Sequence, residues 1–259
     1  MRGAIIGDII GSSYANNHLD LSDFQLLKPA SAFTDNTITS LSTADALMRG
    51  LDYGVCLKSW VQKYPKAGYR DTFLEWALSE KKSSYNSEGD GAARRISPIG
   101  FAAPTLEYAL EQAELSTIIT HNTKIRIEAS RAVAGSIFLA RQGNSKAEIR
   151  QLIEKEFEYQ FTQSLSDIRN DIFNGVELAT PVPAAITAFL ASNDFEDAIR
   201  KAIWLGGQSA TIASITGGIA QAYYNHIPKS LVRKTLSRLT TDMEAIIEKF
   251  EEHFLTPVY

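Results

Sequence analysis

Apolar residues recur every three or four positions along nearly the whole chain, and alternating apolar and polar runs are sparse. That period puts one apolar stripe on a helix and would scatter over both faces of a strand. The chain is therefore read as all-α, with about ten or more helices of ordinary length. Ile38 to Arg49 aligns Leu41, Ala44, Leu47 and Met48, and Thr105 to Ile119 aligns Leu106, Leu110, Ala113 and Ile118. Ile125 to Arg141 is richer in alanine and reads as a central helix. Ser145 with Glu148 predicts a capping box that opens a helix through Phe157. Asn193 followed by Glu196 opens another through Trp204. Thr211 to Tyr224 is small and apolar almost all round, the pattern of a helix packed on every side. Thr240 to Phe254 is a last amphipathic helix. Pro181 and Pro183 break the pattern over Ser166 to Pro183, which is expected to be irregular.

Composition then narrows the function. With 44% apolar and 22% charged residues, the 259-residue chain can bury a real core, and a single domain over 1–259 is expected. A net charge of -4 lacks the positive excess that phosphate backbones and anionic membranes require, so neither nucleic acid nor membrane is an expected partner. Cys56 is the only cysteine. It excludes an intrachain disulfide and a cysteine-rich zinc site, and its apolar helical context reads as packing. No uncharged run approaches the roughly 20 residues a membrane helix needs. Asp8 interrupts the apolar opening, so a cytoplasmic protein is expected.

Chemistry is expected where polar residues interrupt helix ends. Four such islands stand out. Gly3 to Tyr14 carries Gly7-Asp8 and Gly11-Ser12-Ser13 in a helical pattern. It reads as close helix packing through small residues, with Asp8 as a cap. Phe33-Thr34-Asp35-Asn36-Thr37 precedes a helix and reads as an N-cap, or as oxygens turned toward a cation or ribose. Tyr85 to Pro98 holds Glu88-Gly89-Asp90-Gly91 and Arg94-Arg95. This is an ordinary turn, or a turn aiming backbone N–H groups and guanidinium groups at a phosphate. Gly206-Gly207-Gln208-Ser209-Ala210-Thr211 is a tight helix entry, with Ser209 as a cap or as part of a cavity wall. His121 lies at a helix junction; His18, His226 and His253 have no metal-ligand spacing.

In order and spacing these islands resemble the ADP-ribosylglycohydrolase family. Gly3 to Ser12 is similar to its first helix, and Phe33 to Thr37 to its Phe-Thr-Asp-Asp-Thr motif. Gly89 to Arg94 with Ser97 to Gly100 resembles its glycine loop. Thr120-His121-Asn122 resembles its Thr-His-Asn motif, and Gly206 to Ala213 its Gly-Gly-Asp-Ser-Asp-Thr-Ile-Ala motif. The resemblance implies an orthogonal multi-helix bundle that hydrolyses the bond between ADP-ribose and an acceptor, using two magnesium or manganese ions. It places ligand binding at Thr34, Asp35, Asn36, Gly89, Asp90, Gly91, His121, Gln208, Ser209 and Thr211.

Four of the carboxylates that the resemblance implies as metal ligands are replaced here, by Ala15, Asn36, Gln208 and Ala210. Asp35 remains. Magnesium and manganese are hard cations, and two of them side by side need anionic ligands. No metal and no cofactor is therefore expected. The expected function is a pseudo-hydrolase that binds ADP-ribose or a related nucleotide, an ADP-ribosylated target or an ADP-ribosyltransferase, for instance as an immunity or antitoxin protein. The alternative is an active ADP-ribosyl hydrolase with a rebuilt site, its catalytic carboxylates drawn from Asp35, Glu88 and Asp90.

Overall fold

The computed structural model describes residues 1–15, 24–81 and 83–255, and among these it is helical throughout, with no strand. Fifteen helices follow one another: α1 (Arg2–Gly11), α2 (Asp35–Arg49), α3 (Tyr53–Lys63), α4 (Asp71–Leu78), α5 (Gly91–Arg94), α6 (Ser97–Ala102), α7 (Leu106–Ile118), α8 (Lys124–Arg141), α9 (Lys146–Phe157), α10 (Leu165–Phe173), α11 (Val182–Leu190), α12 (Phe195–Trp204), α13 (Ser209–Tyr224), α14 (Lys229–Leu236) and α15 (Thr241–Phe254).

The small, apolar α13 packs against α1, α8, α11 and α12. Its partnership with α1 sets the register of the core. A Cβ on Gly3 would lie 2.2 Å from the Gly217 carbonyl oxygen, and one on Gly7 would lie 2.0 Å from the Ala213 carbonyl oxygen. Gly11 repeats the approach at Ala210. Three glycines spaced by four thus lie on one helix face and bring two backbones into contact. α13 also satisfies both ends of α1. The Gly3 N–H donates to Gln221 Oε1 at 2.7 Å, and the Ser209 hydroxyl donates to the Gly11 carbonyl at 2.8 Å. These are groups a helix leaves unpaired at its termini.

Local chemistry sets the helix boundaries, and some differ from the sequence expectation. The Ser145–Glu148 capping box is present. The helix expected to open at Asn193 is capped one residue later, by Asp194, whose side chain accepts from the Asp197 N–H. Residues 166–183 are irregular only in part: 174–181 lie outside any helix, while α10 runs through Phe173 and α11 begins at Val182. A Ser164–Asp167 capping box opens α10, and Pro183 sits in the first turn of α11, where its missing N–H costs nothing. α13 starts at Ser209 rather than Thr211. Cys56 is buried in α3, as its context implied. Leu57 and Val61 of α3 join Trp76 and Ala77 of α4 in a second small core, with Phe73 and Tyr85 against it. That cluster backs one wall of the cleft described next. Among the described residues no helix is long and apolar enough to cross a membrane.

Candidate functional site

Residues 34–37 split two carboxylates between two environments. Thr34 caps α2, its hydroxyl accepting from the Asn36 N–H at 3.2 Å. Asp35 to Thr37 therefore form the first helical turn instead of preceding the helix. Asp8, fully buried in the middle of α1, caps this neighbouring helix and not its own. Its carboxylate accepts five hydrogen bonds. They come from the Thr34 N–H (2.9 Å) and hydroxyl (2.6 Å), the Thr37 N–H (3.2 Å) and hydroxyl (2.6 Å), and Asn36 Nδ2 (2.9 Å). Burial raises the Asp8 pKa, and the bonds from Thr34 and Thr37 oppose that rise. Asn36 spends its amide N–H on Asp8, which leaves Oδ1 buried without a partner among the described residues.

Asp35 instead faces Arg94, the last residue of α5. Nη1 donates to Oδ1 at 3.1 Å and Nη2 to Oδ2 at 3.0 Å. This two-pronged pairing is the strongest geometry a guanidinium and a carboxylate can adopt. It stands in a cavity of about 140 Å³ lined by Asp35, Thr39, Gly68, Arg70, Phe73, Tyr85, Ser87, Gly89, Asp90, Gly91, Arg94, Arg95, His121 and Gln208. Asp90 is also held. It pairs with Arg126 of α8, and Gln208 Nε2 lies 3.5 Å from its other oxygen. Burial raises the Asp90 pKa, while the Arg126 charge lowers it. Arg126 donates further to the carbonyls of Glu88 and Ala179, so one guanidinium ties the 88–90 turn to the segment before α11.

The Thr-His-Asn junction is built from beneath by Arg95. The residue is 1% exposed, and its guanidinium donates to the Ser116 carbonyl and to Thr120 Oγ1 (2.9 Å). Arg95 is therefore committed to the end of α7, not to a phosphate as its sequence position suggested. With Thr120 Oγ1 accepting from Arg95, its own proton is assigned to His121 Nδ1, 2.7 Å away. The remaining imidazole proton then sits on Nε2, which is buried without a partner among the described residues. Burial is the main cause that lowers the His121 pKa to about 3, followed by the charges of Arg95, Arg126 and Arg94; the Gly89 backbone opposes them. The ring is neutral at every ordinary pH.

Of the residues expected to bind ligand, Asp35, Gly89, Asp90, Gly91, His121 and Gln208 line this one cavity. Thr34 and Asn36 turn to Asp8, Ser209 bonds to Gly11, and Thr211 is buried in α13. Among the carboxylates considered for catalysis, Asp35 and Asp90 line the cavity, whereas exposed Glu88 contributes only its backbone carbonyl nearby. Gly89-Asp90-Gly91 runs into a helix of four residues, too short for a developed dipole. Sequence reasoning missed Thr39, Gly68, Arg70 and Phe73. Thr39 follows Asp35 by one helical turn, a spacing that offered a signal. The wall from Gly68 to Phe73 offered none. His18 lies outside the described residues.

The donor chemistry does not fit a pair of divalent ions. Ala15 and Ala210 offer no side-chain oxygen, both Asp8 oxygens are filled, and both Asp35 oxygens face a guanidinium. A unit charge about 4 Å from another interacts by about 4 kcal/mol at an effective dielectric near 20, and a dication beside Arg94 would meet about twice that as repulsion.

An all-helical scaffold with one polar cleft at its helix termini is the fold of a structurally characterised class. The chain superposes on an ADP-ribosylglycohydrolase-related protein complex with a TM-score of 0.71 at 21% identity, covering 98% of this chain and 95% of that one. The family model for ADP-ribosylglycohydrolase matches residues 1–257, and the chain belongs to that family. ADP-ribosylhydrolase ARH3 of Homo sapiens is 25% identical over 312 residues, covering 89% of this chain and 86% of the human protein. The Xenopus tropicalis ARH3 is 21% identical, covering 86% and 85%. An uncharacterised protein of Archaeoglobus fulgidus is 28% identical over 158 residues, covering 55% of this chain and 52% of its own length.

Proposed function

We propose that this member of the family binds an ADP-ribosyl ligand in the Asp35–Asp90 cleft without divalent ions and does not turn it over by the metal-assisted route. The observation that carries this reading is the state of the cleft carboxylates: Asp35 is paired by Arg94 and Asp90 by Arg126. A carboxylate so held neither gathers metal ions nor takes a proton from water, because ionisation and geometry are already committed to the arginine.

Recognition survives this loss. The cavity keeps a hydrogen-bond donor and an acceptor in the Gln208 amide, and positive charge in Arg70 and Arg94. Its volume of about 140 Å³ is below the roughly 300–1,000 Å³ of pockets that enclose a drug-sized molecule. It therefore takes one end of the ligand, a ribose or a phosphate, and leaves the rest, or an attached protein, outside. That geometry suits capture of an ADP-ribosylated protein. Calorimetry with ADP-ribose in chelator tests the reading. Binding that is unchanged by added magnesium supports it, and binding that requires magnesium, or release of ADP-ribose from modified arginine or serine, overturns it.

A further inference from the structure

Arg94 is more rigidly placed than an arginine at the mouth of a cleft needs to be. Its side chain is 20% exposed, and that of Asp35 is 11% exposed. Two residues of one helix fix it from both ends. Asp35 takes the guanidinium in a fork, and the Ser40 hydroxyl donates to the Arg94 carbonyl at 3.2 Å. The third guanidinium nitrogen, Nε, is buried without a partner among the described residues. Nη1 and Nη2 each keep a second N–H beyond the one given to Asp35, and these remain for a ligand oxygen at the cavity wall.

We propose that Arg94 is a fixed internal cation: its guanidinium takes, on Asp35, the place of a divalent ion and supplies the positive charge for a phosphate-bearing ligand. This rests on the metal-free reading above. A planar, permanently charged group serves the role because it needs no free-metal supply and presents donors in a set geometry. The charge balance of the cleft is then carried by the chain itself, Arg94 against Asp35 and Arg126 against Asp90.

Two measurements on the full chain test the proposal, with thermal melting to confirm that each variant is folded. The first is manganese binding followed by electron paramagnetic resonance. The wild type takes up no manganese, whereas Arg94→Glu, which sets a second carboxylate beside Asp35, takes up one equivalent. Manganese bound by the wild type, or refused by folded Arg94→Glu, overturns the proposal. The second is ADP-ribose affinity in chelator. Arg94→Ala weakens it by about tenfold or more, and Arg94→Lys, which keeps the charge but not the fork, recovers part of the loss. An Arg94→Ala protein that binds as tightly as wild type overturns it. If the wild type binds no ADP-ribose at all, the functional reading fails, while the manganese arm still decides the role of Arg94.

Discussion

Asp8 and Asp35 are neighbours in space, yet the chain treats them in opposite ways. Asp8 lies in the sealed seam beneath α2 and is met only by neutral donors, from Thr34, Asn36 and Thr37. Asp35 lies one residue from two of those donors, on the open side, and is met by a guanidinium. The contrast separates a carboxylate sealed among neutral donors from one paired with a cation at a cavity wall. Asp8 is fully buried between α1 and α2, on another face of α1 from the glycines that meet α13, and short hydroxyls and an amide satisfy it there. In the cleft there is room for arginine, and the carboxylate's charge is cancelled instead of shared out.

The largest effect comes from filling the other close contact of α1, the one with α13. Gly7→Ala drives a methyl group into the Ala213 carbonyl, which is backbone and cannot step aside. It is expected to lose about 4 kcal/mol or more in urea unfolding, or to give no folded protein. Gly135→Ala in α8 is the control: its Cβ meets side chains no closer than 3.4 Å, and a gain of up to about 1 kcal/mol is expected. Equal effects at the two sites would remove the claim that α1 and α13 are in backbone contact. Asp8→Asn comes next. It turns one acceptor oxygen into an N–H that faces donors, at a cost of about 3 kcal/mol in the same assay.

These two regions were unequally legible in the sequence. The small residues of Gly3 to Tyr14 announced close helix packing and the all-round apolar α13 a helix packed on every side, because steric demands leave a local trace, but nothing local named the two as partners. Asp8 was legible as a cap but not as the cap of a helix 26 residues away, since its partners are fixed by packing rather than spacing. The family motifs located the cleft: Asp35, Gly89, Asp90, Gly91, His121 and Gln208 do converge. They could not show that Arg95 is buried under α7 while Arg94, its neighbour, reaches Asp35. Both border the cavity, and only the docking of α5 decides which of them pairs with Asp35. The expected irregularity of 166–183 holds for 174–181 and misses at both ends, where a Ser164–Asp167 capping box opens α10 and Pro183 lies in the first turn of α11.

A smaller effect probes the floor of the cleft. His121 has a folded-state pKa of about 3, below the unfolded value near 6.5. As pH falls through 6.5 the unfolded chain takes up a proton that the folded ring refuses. The stability tied to a neutral His121 is therefore complete above that pH and declines toward 3. Wild type is expected to lose about 2 kcal/mol more than His121→Gln between pH 7 and pH 5, measured by urea unfolding at both. Parallel losses in the two proteins would mean that the imidazole is accessible to protons and that the Arg95–Thr120 chain does not fix its tautomer.

The smallest effect distinguishes the two carboxylates most directly. Asp35→Asn keeps a hydrogen-bond acceptor for Arg94 and leaves the guanidinium at the wall of a cavity that water can enter. Its cost in stability is expected to be about 1 kcal/mol, roughly a third of that for Asp8→Asn, because a solvated unpaired cation is far cheaper than a carboxylate's donors stranded in a dry seam. The ranking carries the conclusion. A protein in which Asp35→Asn proved the more damaging of the two would be one in which the Arg94 pair holds the fold together, and the cleft charge could no longer be assigned to ligand recognition.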